Sequence, residues 1–463
     1  MGRPRKPEAV PNLPQAGSEF VWQASTISRP ASPRVRIRTP RRWLQSILRI
    51  SNPLLAWIEP CDKVFLDIMF DEHVFIRHFV ISTRLGDAVL KHLLSCLFSS
   101  PDLLLGVFLA CSSRFSRRIL SISASSPDDE YTKCAKAVRH LRAAGLSQSL
   151  PASDLLSALV LGLGVVTFDL LDKGMYAHSV ARFTLDMAVK TQGDLTETTQ
   201  GLNSEGCRVL GGYEEWLLPL IFLDTCNCIV RRALPVHKVQ GQDMNSVDRY
   251  IGLCTPLLAY MYDICLLSTR AVNRITGTTA DIMFNETEFE NTADALESTL
   301  TVWDAVIPEE CKAEFSLLEL SILKTQADIY RLANLLLLHH TRFPYRCADE
   351  AAHSLSASIL ESIDKLYNMA QCDISGEAER RVVGVTAELR LSLPFLVAAV
   401  EVIDAQQRIT LLERLEVVVN AKLYPHICEM LRDIIIFVWT ARDKNCPDHL
   451  FELVLRGPSF VLF

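Results

Sequence analysis

Residues 155–171 read LLSALVLGLGVVTFDLL, and this stretch settles the fold class. Apolar side chains cover nearly every face of a helical wheel, and the run is longer than the roughly 4–8 residues of a buried strand. It predicts a helix surrounded by protein on all sides. Ser157, Thr167 and Asp169 interrupt the run, which falls short of the roughly 20 apolar residues that span a bilayer. After Asp172, Lys173 and Gly174 a second helical pattern extends from about Tyr176 to Lys190. So brief a link predicts that the two helices form an antiparallel hairpin.

The segment before them follows the same grammar with one wet face. Ser126 is placed to cap, Pro127 suits the first helical position, and Asp128 and Asp129 set negative charge beside the unpaired first-turn amides. Tyr131, Cys134, Ala135, Val138 and Leu141 share a face, and Gly145 is expected to supply the exit. Helical spacing continues almost everywhere from Arg41 onward, without convincing alternation of apolar and polar residues. The expected fold is all-α, an irregular array of antiparallel helical hairpins. Polar stretches at 191–206, 238–247, 274–291 and 372–378 predict the main loops. No fixed-period repeat occurs, so a regular solenoid is not expected.

With 463 residues, 49% of them hydrophobic and 22% charged, the chain has ample material for a large core. Pro4, Pro7, Pro11, Pro14, Pro30, Pro33 and Pro40 crowd the first forty residues. Residues 1–40 are therefore expected to be a disordered basic tail, and 41–463 one helical domain. Ten Lys and Arg in residues 1–49 face only Glu8 and Glu19, a balance of +8; the overall −7 leaves −15 on the remainder. Such a tail suits polyanions, which the acidic body would repel. No apolar run with a cleavage site follows Met1, and Lys6 stands where myristoylation needs Ser or Thr. The chain is accordingly expected to be intracellular and soluble. Its fourteen cysteines, scattered mostly among Leu and Ile, read as free core thiols. The sequon Asn285-Glu286-Thr287 carries little weight without a secretory route.

A structural zinc site needs close pairs of thiolates or imidazoles. The sole close thiol pair, Cys226-Asn227-Cys228, has one residue between its thiols. On a helix those side chains diverge by about 200°, so core packing is expected rather than a metal. His339 and His340 follow an apolar run at an expected helix end, where imidazoles meet free carbonyls. No HExxH, GxSxG, Walker or kinase pattern occurs, and Gly162-Leu163-Gly164 lacks the third glycine and preceding strand of a dinucleotide site. No catalytic residue, metal or cofactor is expected, although a dispersed triad would leave no local motif. Gly2-Arg3-Pro4-Arg5-Lys6-Pro7 has the Gly-Arg-Pro core of a hook that lies in the A·T minor groove, but lacks basic residues before the glycine. Arg3, Arg5 and Lys6 are thus read first as a nuclear-import signal, with minor-groove contact and an inert solvated tail as open alternatives. Arg34, Arg36, Arg38, Arg41 and Arg42, interleaved with Val35, Ile37 and Thr39, either add phosphate contacts or lead into a helix at Trp43.

In chain order, several stretches resemble the fungal-specific transcription factor domain, a helical regulatory region that usually follows a two-zinc, six-cysteine DNA-binding cluster. Residues 134–141 (CAKAVRHL), 154–159 (DLLSAL) and 174–178 (GMYAH) resemble its opening. Residues 330–335 (YRLANL) with His339 resemble its middle. Residues 393–399 (LPFLVAA), Arg408 and 439–443 (WTARD) resemble its end, with Leu393 standing where Trp is common. The resemblance spans about 90–445, implies regulation of transcription and brings no catalytic residue with it. Read alone, the same residues are core, with Trp439 as a large anchor and Arg442 with Asp443 as a solvated pair. Cys61 is the first cysteine, so base reading by the six-cysteine module is not expected of this chain; a zinc-cluster exon upstream stays an open alternative. Residues 43–49 (WLQSILR) and 57–60 (WIEP) resemble the start of short regulators of trichothecene gene clusters.

The resulting expectation is a nuclear, positive regulator of a fungal secondary-metabolite cluster, with trichothecene synthesis as the specific case. It would act by binding another transcription factor or the transcription machinery, with weak, salt-sensitive DNA contact through the tail. No membrane partner is expected, and a homodimer is left open. The alternative is a ligand-sensing helical module holding a pathway metabolite between apolar helices. An enzyme with a dispersed site is the third reading.

Overall fold

A computed structural model describes residues 58–71, 74–122, 126–146, 151–199, 214–239, 247–276, 286–343, 349–372, 389–444 and 450–463. The expected tail at 1–40 and the helix at Trp43 lie outside the described residues. Among those described there are sixteen α-helices and no strand, only an isolated bridge between Asp248 and Gly252. The all-α expectation holds.

The first half is organised around the dry helix. Helices α1 (Pro60–Met69), α2 (Gly86–Ser99), α3 (Pro101–Phe115) and α4 (Pro127–Leu146) precede α5 (Ala152–Asp172). Then follow α6 (Ala177–Thr199) and α7 (Glu214–Arg231). α5 packs against α3, α4, α6 and α7, which is why nearly every face of it is apolar. By length and composition alone its stretch Asp154–Asp172 could cross a membrane, so the expectation that it is too short is corrected. Burial gives the better account: 67% of that stretch is covered by protein.

Two glycines allow these close approaches. A Cβ on Gly162 would lie 2.5 Å from the Thr184 side chain of α6, and one on Gly164 would lie 2.9 Å from Val107 of α3. Gly162-Leu163-Gly164 is thus a helix-contact feature on both sides of α5. Gly174, at φ +70, turns the chain into α6, where Asp169 Oδ2 accepts the amides of Tyr176 and Ala177 at 2.8 and 2.7 Å. Upstream, the Asp129 amide donates to Ser126 Oγ at 3.2 Å, as the capping pattern predicts. Gly145 does not end α4 in a left-handed turn; it lies inside the helix, beneath the Phe183 ring of α6.

The second half comprises α8 (Thr255–Thr276), α9 (Glu286–Val302), α10 (Glu309–Glu314), α11 (Leu317–Arg342) and α12 (Glu350–Cys372). It ends with α13 (Ser392–Ala399), α14 (Ala405–Val418), α15 (Pro425–Asp443) and α16 (Leu450–Arg456). α11 is the long axis of this half and packs against α8, α9, α12 and α13. It begins in a capping box, where the Glu319 amide donates to Ser316 Oγ at 3.2 Å and the Ser316 amide donates to Glu319 Oε2 at 2.8 Å. Two expected loops are shorter than the sequence suggests, because α6 runs on through Thr199 and α9 starts at Glu286.

Placing an isopropyl group at the α5–α6 contact overpacks it, which typically costs about 1–3 kcal/mol. Gly162→Val is therefore expected to lower stability by about 2 kcal/mol in a urea titration, whereas an unchanged midpoint would mean the two helices stand further apart.

Candidate functional site

α13 is the short helix on which the second half closes. All eight of its residues are buried, so its terminal carbonyls must be satisfied by protein: Leu396, Ala398 and Ala399 accept the amides of Val400, Glu401 and Val402, and side chains add further donors at the same exit. Ser356 Oγ of α12 donates to Ala398 O at 2.8 Å, and Trp439 Nε1 of α15 donates to Ala399 O at 2.9 Å. Arg442 Nη1 donates to Val400 O at 3.1 Å and to Glu401 O at 2.7 Å. A cation at a helix C-terminus also opposes the helix dipole. The Arg442 charge is balanced by Glu401, 3.6 Å away, and Glu401 in turn lies 3.0 Å from His340 of α11. His353 of α12 accepts from Arg442 Nη2 at 2.9 Å.

The approach to α13 is held by α11. Gln326 Nε2 donates to Leu389 O at 2.8 Å, and the Tyr330 hydroxyl donates to Arg390 O. Ser392 Oγ donates to Phe463 O at 2.6 Å, tying the buried segment 460–463 to the start of α13. Stretches that are far apart in sequence, 330–335, 393–399 and 439–443, therefore meet in one joint. Two expectations are corrected there. Arg442 is not a solvated partner of Asp443; it is 3% exposed and bonded to the turn that follows α13, while Asp443 pairs with Arg408 at 2.7 Å beside Trp439. His339 and His340, expected at free helix-end carbonyls, pair with carboxylates, Asp349 at 2.6 Å and Glu401 at 3.0 Å.

A second buried cluster joins α6 to α7. His178 Nε2 lies 2.9 Å from Asp224 Oδ1, and Cys228 Sγ donates to the same oxygen at 3.4 Å. These three atoms have the proximity of a metal-ligand set. Arg182 occupies it instead, donating to Asp224 at 3.3 Å and to Cys228 Sγ at 3.2 Å. Burial, with Asp224 beside it, pushes the Cys228 thiol up to about 12, so it stays protonated beside a fixed cation. Burial also pushes the Asp224 carboxyl up, but hydrogen bonds from His178 and the Val236 amide, with the charges of His178 and Arg182, outweigh it and hold the group below its usual range. Asn227, between the two cysteines, bonds elsewhere, donating to Leu462 O at 2.8 Å and accepting the Leu462 amide at 3.1 Å. Cys226 is simply buried.

Between α4, α5 and α6 lies a cleft of about 730 Å³, walled by Val138, Leu141, Val165 and Val180 with the rings of Tyr131, Phe168, Tyr176 and Phe183. One end is closed by a polar cluster. Asp172 accepts from Arg114 Nη1 and from the Tyr131 hydroxyl, each at 2.8 Å, and Arg114 also pairs with buried Glu130 at 2.9 Å.

The fungal-specific transcription factor domain family matches residues 194–463, more than half of the chain. The chain belongs to that family. Membership in the fungal-specific transcription factor domain family assigns it to transcription regulation. The α13 joint, Asn227 and the segment 460–463 all fall inside the match, whereas the opening stretches at 134–178 and the cleft lie before it. No curated protein and no solved structure matches the chain.

The residues named for DNA contact or nuclear import, Arg3, Arg5, Lys6, Arg34, Arg36, Arg38, Arg41 and Arg42, lie outside the described residues. Sequence reasoning missed Glu401, Ser356 and Asp224, since single carboxylates and hydroxyls without a spaced partner give no local signal.

Removing one member of a buried ion pair leaves the other uncompensated, at a cost of about 3–5 kcal/mol. Arg442→Ala is expected to lose that much in chemical denaturation, and Asp443→Asn, at a pair exposed on one side, about 1 kcal/mol or less. Equal losses would contradict the assignment. Because the Asp224 carboxyl is depressed, its contribution is complete above the ordinary carboxylate range and disappears as pH falls through the depressed value. The stability gap between the native chain and Asp224→Asn should therefore narrow as pH falls from about 5 towards about 3. A gap that is constant across this range would contradict the assignment.

Proposed function

We propose that this chain is a nuclear activator of a fungal secondary-metabolite gene cluster, acting through contacts with another transcription factor or the transcription machinery. The observation that carries the reading is the family match over 194–463 on a helical body whose matched stretches form a buried joint, leaving its outer faces for partners. The charge balance supports delegation of DNA reading to a partner. Residues 50–463 bear −15 and repel polyanions, while residues 1–49 bear +8 and suit import or weak phosphate contact. Residues 43–49 and 57–60 favour trichothecene synthesis as the regulated pathway. Family membership speaks against the enzyme reading.

Deleting the gene and counting cluster transcripts under toxin-producing conditions tests the proposal. Transcripts are expected to fall at least about tenfold, roughly 1.4 kcal/mol in an equilibrium of promoter occupancy. Unchanged transcripts would refute it. Replacing Arg3, Arg5 and Lys6 by Gln is expected to shift a fluorescent fusion out of the nucleus, and retained nuclear signal would remove the import role from those three residues.

A further inference from the structure

The cleft between α4, α5 and α6 has features that helix packing alone does not need. Tyr131, Tyr176 and Phe183 are 41%, 65% and 39% exposed, and all three stand around it. Single exposed rings are ordinary, but three on one concave apolar surface mark a binding site, and about 730 Å³ is the size that encloses a small molecule. A groove for a partner helix would run on past Phe183. Here that ring lies over Gly145, where a Cβ would come within 2.5 Å of it, so α4 and α6 meet and the groove stops.

The two ends differ in charge. The Tyr131 hydroxyl on Asp172 brings the start of α4 to the end of α5, where Asp169, Asp172 and Lys173 line the wall. Both carboxylates are already engaged: Asp172 by Arg114 and Tyr131, Asp169 by two α6 amides. Asp172 is balanced by Arg114, whereas no cation pairs with Asp169 among the described residues, so this end disfavours a ligand carboxylate. Arg142 lies three residues before Gly145 and so belongs to the Phe183 end. It is exposed, lines the cleft, and makes no ion pair among the described residues. The carboxylates that line the cleft stand at the opposite end. Burial, with Asp169 and Asp172 nearby, pushes the Cys134 thiol in the wall up to about 12, so it adds no charge.

We propose that this cleft binds an amphipathic monocarboxylate, its apolar body lying between Val138, Val165, Phe168 and Val180 and its carboxylate paired with Arg142. An apolar wall supplies affinity roughly in proportion to area, and a guanidinium fork supplies selectivity for a planar anion. The site lies outside the family match and its test is binding by purified protein, so it stands or falls independently of the transcriptional role.

Isothermal titration of the full-length protein with palmitate, farnesoic acid and uncharged farnesol tests the assignment. At least one acid is expected to bind with one site per chain, about tenfold more tightly than farnesol. Palmitate alone would identify an acyl ligand, farnesoic acid alone an isoprenoid, and both the shared chemistry. Arg142→Gln is expected to weaken the acid by about tenfold and leave farnesol unchanged. Ala135→Trp, at an exposed position on the wall, is expected to abolish binding of all three. Should that variant not fold, Arg142→Gln carries the test. Absence of binding by both acids, or an acid affinity unchanged in Arg142→Gln, would overturn the proposal.

Discussion

A helix wholly inside a protein must satisfy its last carbonyls and those of the turn that follows, and at the exit of α13 backbone amides are joined by three side chains from two other helices. Ser356 comes from α12, and Trp439 and Arg442 come from α15, so the donors also fix where those helices stand. The Arg442 guanidinium introduces a buried charge, which requires Glu401, and Glu401 brings His340 of α11 into the same joint. One requirement of backbone chemistry thus sets the arrangement of four helices. Three of the stretches that resemble the family, 330–335, 393–399 and 439–443, meet in this joint.

The first half solves a similar problem differently. α5 needs no buried ion pair along most of its length, because neighbours cover it and Gly162 and Gly164 let two of them come close. Charge gathers only near its last turn, where Asp172 meets Arg114 and Tyr131. That cluster closes one end of the cleft.

The dry helix, its hairpin partner and the all-α class were legible because periodicity is local: residues 155–171 announce burial without reference to the rest of the chain. The Ser126 cap was legible for the same reason. What failed was anything decided by a distant partner. Arg442 next to Asp443 reads as a surface pair, yet the buried turn after α13 takes the guanidinium and Arg408 takes the carboxylate. Gly145 reads as a helix end, yet Phe183 of another helix is why no side chain fits there. Cys226 and Cys228 draw attention as a thiol pair, whereas Asn227 between them holds the segment 460–463 in place. The cleft was half visible: Tyr131, Cys134, Ala135, Val138 and Leu141 were placed on one face, but only the position of α6 makes that face a wall.

The dependence of the second half on α13 is most directly tested by hydrogen exchange of the backbone amides in the native protein. Amides in the α13 helix should be among the slowest to exchange, opening only with global unfolding, while those on the exposed face of α14 should exchange through local fraying. Exchange in α13 as fast as in α14 would contradict the account, because a helix that opens alone could not be what holds its neighbours together.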